Sequence, residues 1–208
     1  MYKKIIAELE TLAEPEFAKW LKPFLSITDE PLLGVRVPKL RKLAKANKEI
    51  SEDTLLQLLK SEIHEARALA LFIMLHKAKK EPQKMCRIYL ENLKYINNWD
   101  LIDYTAPHIV APCCGEKVLK ELAESDYMWA NRVAMVSTIY FIKQGDFKLA
   151  LEFAKKFMSH PHHLMHKASG WMLREIGKKD EKVLRDFLEK YSTQMPSVMR
   201  SYVREKLK

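Results

Sequence analysis

Residues 62–79 read EIHEARALALFIMLHKAK. Ile63, Ala66, Leu69, Ala70, Ile73 and Leu75 recur at helical spacing, with Met74 filling in, so a wide side of the segment is apolar. Upstream, SEDTLLQLL begins at Ser51 with acidic residues in its first turn, the signature of a helix start. Similar amphipathic stretches cover about 3–13, 15–25, 38–48, 82–95, 98–111, 115–124, 127–143, 147–158, 163–176, 180–191 and 196–207. Only five glycines interrupt them, and no turn signal separates alternating β-branched runs. The expected fold class is all-α.

Aligning the basic residues inside the longer segments exposes a repeat. Arg67 lies in HEARALA, Arg132 in ANRVAMV, Lys167 in HKASGW and Arg200 in MRSYVRE, at steps of 65, 35 and 33 residues. The first step is close to double the others, and NNWDLIDYTA, with Asp100 in the column, supplies the missing member. A period of 33 to 35 with two helices per unit is that of an α-solenoid of HEAT or ARM-like repeats. The expectation is a right-handed superhelix of paired helices, one domain over residues 1–208, with a basic concave face. An irregular helical bundle is the alternative.

Charge narrows the partner. Lys and Arg number 36 against 27 acidic residues, a net charge of +9, which points to a polyanion. Cys86, Cys113 and Cys114 are odd in number and lack C-x-x-C spacing, so reduced thiols and an intracellular setting are expected. The N-terminus MYKKIIAELETLAEPE lacks the apolar run of a signal peptide, and no stretch approaches the roughly 20 apolar residues of a membrane span. These features predict a soluble, cytoplasmic monomer.

Helical solenoids are by default protein-binding scaffolds, so any argument for chemistry rests on particular residues. Trp99 and Asp103 are four apart and share a helix face. One repeat on stands Arg132, and after it Trp171, one turn beyond Lys167. Singly, each reads as structural: tryptophan as core, Asp103 as a solvated or inter-repeat acceptor, Arg132 as a cross-repeat pair. Their recurrence on successive repeats raises two indoles, a carboxylate and a guanidinium to a candidate site.

The segments GVRVPKLRKLAK, HEARALALFIM, NNWDLIDYTA, WANRVAMV and HKASGWMLREIGKKD, in this order, resemble the AlkD-type DNA alkylation-repair glycosylases. The resemblance runs from about residue 30 to the C-terminus. It implies a HEAT-like repeat enzyme, of a family found mainly in bacteria, that excises cationic N3- and N7-alkylpurines such as 3-methyladenine and 7-methylguanine from double-stranded DNA without metal or other cofactor. The family's two tryptophans, aspartate and arginine fall on Trp99, Trp171, Asp103 and Arg132. The stretch HPHHLMH before Trp171 departs from relatives that carry aromatic residues there.

The chemistry suits those residue types. An alkylpurine charged at N3 or N7 leaves as a neutral base, so no general acid is needed. One carboxylate can stabilise the oxocarbenium-like sugar and hold a water. Indole faces attract a cationic nucleotide, and a guanidinium can grip phosphate. Arg132, Lys167, Arg174 and Arg200 are the expected DNA-binding residues, Arg174 because it lies three residues beyond Trp171. His160, His162, His163 and His166 crowd together, but Pro161 interrupts them and no third ligand is near, so a helix-start loop at DNA is expected rather than a metal site. Two other functional classes remain: a catalytically silent DNA-binding repeat protein and a protein-interaction scaffold.

Overall fold

A computed structural model describes residues 1–26 and 30–204. Its Cα framework divides into two compact units, residues 1–105 and 106–208. Unit 1 contains α1 (Tyr2–Glu10), α2 (Pro15–Leu21), α3 (Val37–Ala46), α4 (Glu52–Leu59), α5 (His64–Lys77), α6 (Pro82–Glu91) and α7 (Trp99–Ile102). Unit 2 contains α8 (Ala106–Ile109), α9 (Glu116–Ala123), α10 (Met128–Ser137), α11 (Ile139–Lys143), α12 (Lys148–Lys156), α13 (His163–Lys179), α14 (Glu181–Tyr191) and α15 (Ser197–Arg204). Among the described residues there is no strand, and no helix is long and apolar enough to cross a membrane.

The repeat is visible in the helix starts. One series begins at 52, 82, 116, 148 and 181, and its partner series at 64, 99, 128, 163 and 197. The first series is amphipathic, with one buried edge per helix, such as Leu184 and Phe187 of α14. The second includes the most enclosed helices: nine of α5's residues are buried, including His64, Glu65 and Arg67. The expected stretch 98–111 is broken between α7 and α8. Pro107 has no N–H, and a proline ring inside a continuous helix clashes with the carbonyl four residues back, so the helix stops and restarts. The hydroxyl of Thr105 donates to the carbonyl of Leu101 at that break. Stretch 127–143 also divides, into α10 and α11, but without a proline: the break falls at Thr138, whose hydroxyl donates to the Met135 carbonyl at 2.7 Å. The end of stretch 196–207 lies outside the described residues.

Within unit 1, α5 packs on α1, α3, α4, α6 and α7. Its buried Glu65 accepts three backbone N–H groups, from Leu33 (2.9 Å), Gly34 (2.5 Å) and Val35 (3.2 Å), and so anchors the chain entering α3. Gly34 makes this possible. It sits at φ +77°, and a Cβ there would lie 2.3 Å from the Glu14 carbonyl oxygen. Within unit 2, α13 packs on α10, α11, α12, α14 and α15, most extensively on α15.

Gly170 on α13 is buried, and a Cβ on it would come within 2.7 Å of both the Met199 carbonyl oxygen and Tyr202 Cβ. Gly→Ala in an open helix interior stabilises by roughly 0.5–1 kcal/mol. Here the new methyl must push α15 away, so Gly170→Ala should instead destabilise by about 1–3 kcal/mol. For a chain of this size that is a fall in melting temperature of about 2–4 °C per kcal/mol, read by calorimetry. An unchanged or higher melting temperature would show that α15 does not depend on this close approach.

Candidate functional site

The short helix α7 carries Trp99 and Asp103, and four residues cannot hold a helix by themselves. At its end the Asp103 N–H donates to the Trp99 carbonyl at 2.9 Å. Further bonds come from outside it. Asn98, fully buried, accepts the Trp99 backbone N–H at 2.9 Å, the capping role for which asparagine is suited. The Trp99 indole Nε1–H donates to the Phe24 carbonyl at 2.9 Å. Asp100 accepts from His64 Nε2 at 2.8 Å, tying α7 to α5.

Behind that contact lies a buried charge network. His64 is 2% exposed, with Nε2 on Asp100 and Nδ1 facing Glu30 as an ion pair at 3.8 Å. Arg67, 3% exposed, donates to the carbonyls of Ser61 and Glu62, each at 3.0 Å, and pairs with Glu30. Asn97 Nδ2 closes the ring on Glu30 at 2.7 Å. Burial opposes a charge on His64, but Asp100 and Glu30 outweigh it and raise its pKa to about 9. The imidazolium of His64, resisted by partial burial and reinforced by Asn97 and Arg67, holds Glu30 down at about 2. Asp103, half-buried, ends α7, and its charge reaches Tyr89, whose ionisation burial chiefly opposes.

Unit 2 carries the other candidates. Trp171 is half-buried on α13 and its indole N–H donates to Glu175 at 3.1 Å. Lys167 and Arg174, four before and three after it, are half-exposed on the same helix. Arg132 of α10 is 4% exposed and donates from Nη1 to the Leu164 carbonyl at 2.6 Å, across to the first turn of α13. So enclosed a guanidinium offers little surface to a phosphate, and its bond to Leu164 ties α10 to α13. Arg200 donates to the Ser192 carbonyl at 3.2 Å. His162 caps α13 by accepting the Leu164 N–H on Nδ1 (3.2 Å), and His160 Nδ1 accepts the His162 N–H (3.0 Å). Among the described residues, no group of three His, Cys, Asp or Glu is placed to hold a metal ion.

Helix α7 thus brings Trp99 and Asp103 together in unit 1, and α13 gathers Lys167, Trp171 and Arg174 in unit 2. The basic column reads differently in space: Arg67 and Arg132 are interior residues. Sequence reasoning passed over Glu30, His64, Asn97 and Asn98. The Asn pair directly before Trp99 was the one available signal, as a helix cap.

The sequence matches the family described as "DNA alkylation repair enzyme" over residues 5–207. The structure is similar to a "Predicted DNA alkylation repair enzyme from Enterococcus faecalis", with TM-score 0.70, 14% identity, and 94% of this chain and 96% of that one covered. It is also similar to AlkD2 from Streptococcus mutans, with TM-score 0.65, 15% identity and 99% of each chain covered. No curated protein matches the sequence. At these identities the structural likeness shows the fold, an all-helical one of the AlkD-type HEAT-like repeat class.

The charge network dictates a pH dependence of stability. His64, raised from 6.5 to about 9, contributes fully below pH 6.5 and its contribution is lost as pH rises through 9. Glu30, lowered from 4.5 to about 2, contributes fully above pH 4.5 and its contribution is lost as pH falls toward 2. Unit 1 should therefore be most stable between about pH 4.5 and 6.5. The alkaline loss should be of order 3 kcal/mol and absent in His64→Gln. Denaturant melts of both proteins from pH 5 to about 10 check this; parallel curves would remove His64 from the account.

Proposed function

This chain belongs to the DNA alkylation repair enzyme family, and we propose that within it the protein is a DNA glycosylase acting on cationic N3- and N7-alkylpurines in duplex DNA. The observation that carries the reading is the fixation of α7. A four-residue helix is pinned by Asn98, Phe24 and His64, and it presents a tryptophan and a carboxylate one turn apart. Such external anchoring serves a site that must hold its groups still.

Alkylation leaves the purine positively charged, so the glycosidic electrons pass to the base and it departs neutral. The deoxyribose is left electron-poor at C1′, and the Asp103 carboxylate stabilises that charge. A water held by the same carboxylate adds to C1′ and gives up a proton, leaving an abasic sugar. The indole N–H groups of Trp99 and Trp171 are already engaged by Phe24 and Glu175, so these residues meet the nucleotide with their ring faces. Lys167, Arg174 and Arg200 contact phosphates. Arg132 acts from inside its unit, through its charge and by setting the first turn of α13. In this reading residues 1–208 work as one repeat domain and as a monomer, with no metal and no cofactor.

Asp103→Asn retains shape and removes the charge. Excision should fall by roughly two to three orders of magnitude, about 3–4 kcal/mol. Binding to undamaged duplex should stay constant or tighten. Trp99→Ala and Trp171→Ala should cost about 1–2 kcal/mol each. Single-turnover release of 3-methyladenine and 7-methylguanine at fixed salt is the measurement. Wild-type protein that binds duplex and releases neither base is a silent binder; release at an undiminished rate in Asp103→Asn takes the role from that carboxylate.

A further inference from the structure

Because Arg67 and Arg132 are enclosed in the fold, other cations must supply much of the surface offered to a polyanion. In unit 1, α3 and α5 pack together. Their C-terminal ends meet, since Glu49, just after α3, pairs with Lys80, just after α5, at 3.4 Å. Around this junction stand Lys45 in the last turn of α3, Lys48 beside Glu49 and Lys79 beside Lys80, all exposed. None of the three makes an ion pair among the described residues. His76 stands half-buried in the last turn of α5, and burial first, then the charges of Lys79, Lys48 and Lys45, depress its pKa.

Lysines at helix C-termini often only complement the helix dipole. Two helix ends supply about −0.5 charge each, roughly −1 in all. Glu49 is taken up by Lys80. Three ammonium groups exceed that by about two charges, and their positive potential adds to burial, the larger cause, in depressing the His76 pKa.

We propose that Lys45, Lys48 and Lys79, standing around the junction of α3 and α5, form a phosphate-docking patch for the backbone of duplex DNA, distinct from the unit 2 residues Lys167, Arg174 and Arg200. The proposal deepens the glycosylase reading and rests on its partner, duplex DNA. Ammonium groups on flexible stems suit the sequence-independent neutralisation of phosphates, where each contact releases condensed counterions.

The test compares wild type, Lys45→Gln/Lys48→Gln/Lys79→Gln, and a charge-matched control, Lys117→Gln/Lys148→Gln/Lys182→Gln, whose lysines are exposed in the first turns of α9, α12 and α14. Affinity for an undamaged duplex is measured by anisotropy across a KCl series. Each lost phosphate contact lowers the slope of log K against log salt by about 0.9, so the patch variant's slope should fall by about 2 to 3 while the control keeps that of wild type. Independently, NMR titration of His76 in the wild-type protein should show its pKa rising when duplex is bound, as phosphates offset Lys45, Lys48 and Lys79. Equal slopes for the two triple variants, or a His76 titration indifferent to duplex, overturn the patch. Failure of the wild type to release alkylpurines leaves both readouts intact and overturns only the glycosylase reading.

Discussion

His64 is held as an imidazolium between Asp100 and Glu30, with Arg67 beside it on the same Glu30 oxygen, and unit 1 is organised around that arrangement. Two cations and two carboxylates drawn into a poorly solvated space are tolerable only when their geometry satisfies one another; removing one member leaves the rest uncompensated, at a cost of about 3–5 kcal/mol. Here the network joins three stretches distant in the chain: the segment at residue 30, the start of α5, and the residues preceding and opening α7. Hydrophobic packing alone would let a four-residue helix slide or fray. A directional, charged hydrogen bond to Asp100 sets its place and its rotation, and therefore the directions in which Trp99 and Asp103 leave it.

The same economy of charge explains the division of labour among basic residues. Arginine suits buried positions because its planar guanidinium satisfies several acceptors at once and is weakly hydrated. Arg67 reaches two backbone carbonyls, a carboxylate and an amide, and Arg132 reaches across to the first turn of α13. Lysine, more strongly hydrated, remains outside, as at Lys45, Lys48 and Lys79. The excess of +9 charges is thus carried toward solvent chiefly by lysine, while arginine at the repeat spacing joins segments of the fold.

In unit 2 the organising constraint is steric. Helix α13 is enclosed by α10, α12, α14 and α15, and Gly170 permits the close backbone approach of α15. Lys167, Trp171 and Arg174 lie on the part of that helix left half-exposed, so a surface usable by a ligand survives on an otherwise buried element.

The apolar period of residues such as 62–79 determined by itself that the chain is helical, and the spacing of Arg67, Arg132, Lys167 and Arg200 determined that the helices recur, because both are local regularities written along the chain. The pairing of Trp99 with Asp103 was likewise legible, being one helical turn. The interruption at Pro107 was less so, since a proline marks a break without stating how the freed groups are bonded. Only the tertiary structure decided which charges are inside. Arg67 and Lys79 stand twelve residues apart in one stretch, yet one is sealed in a network and the other faces solvent. The difference is made by Glu30, which arrives from 37 residues away, and no sequence period encodes where a distant segment will lay its carboxylate.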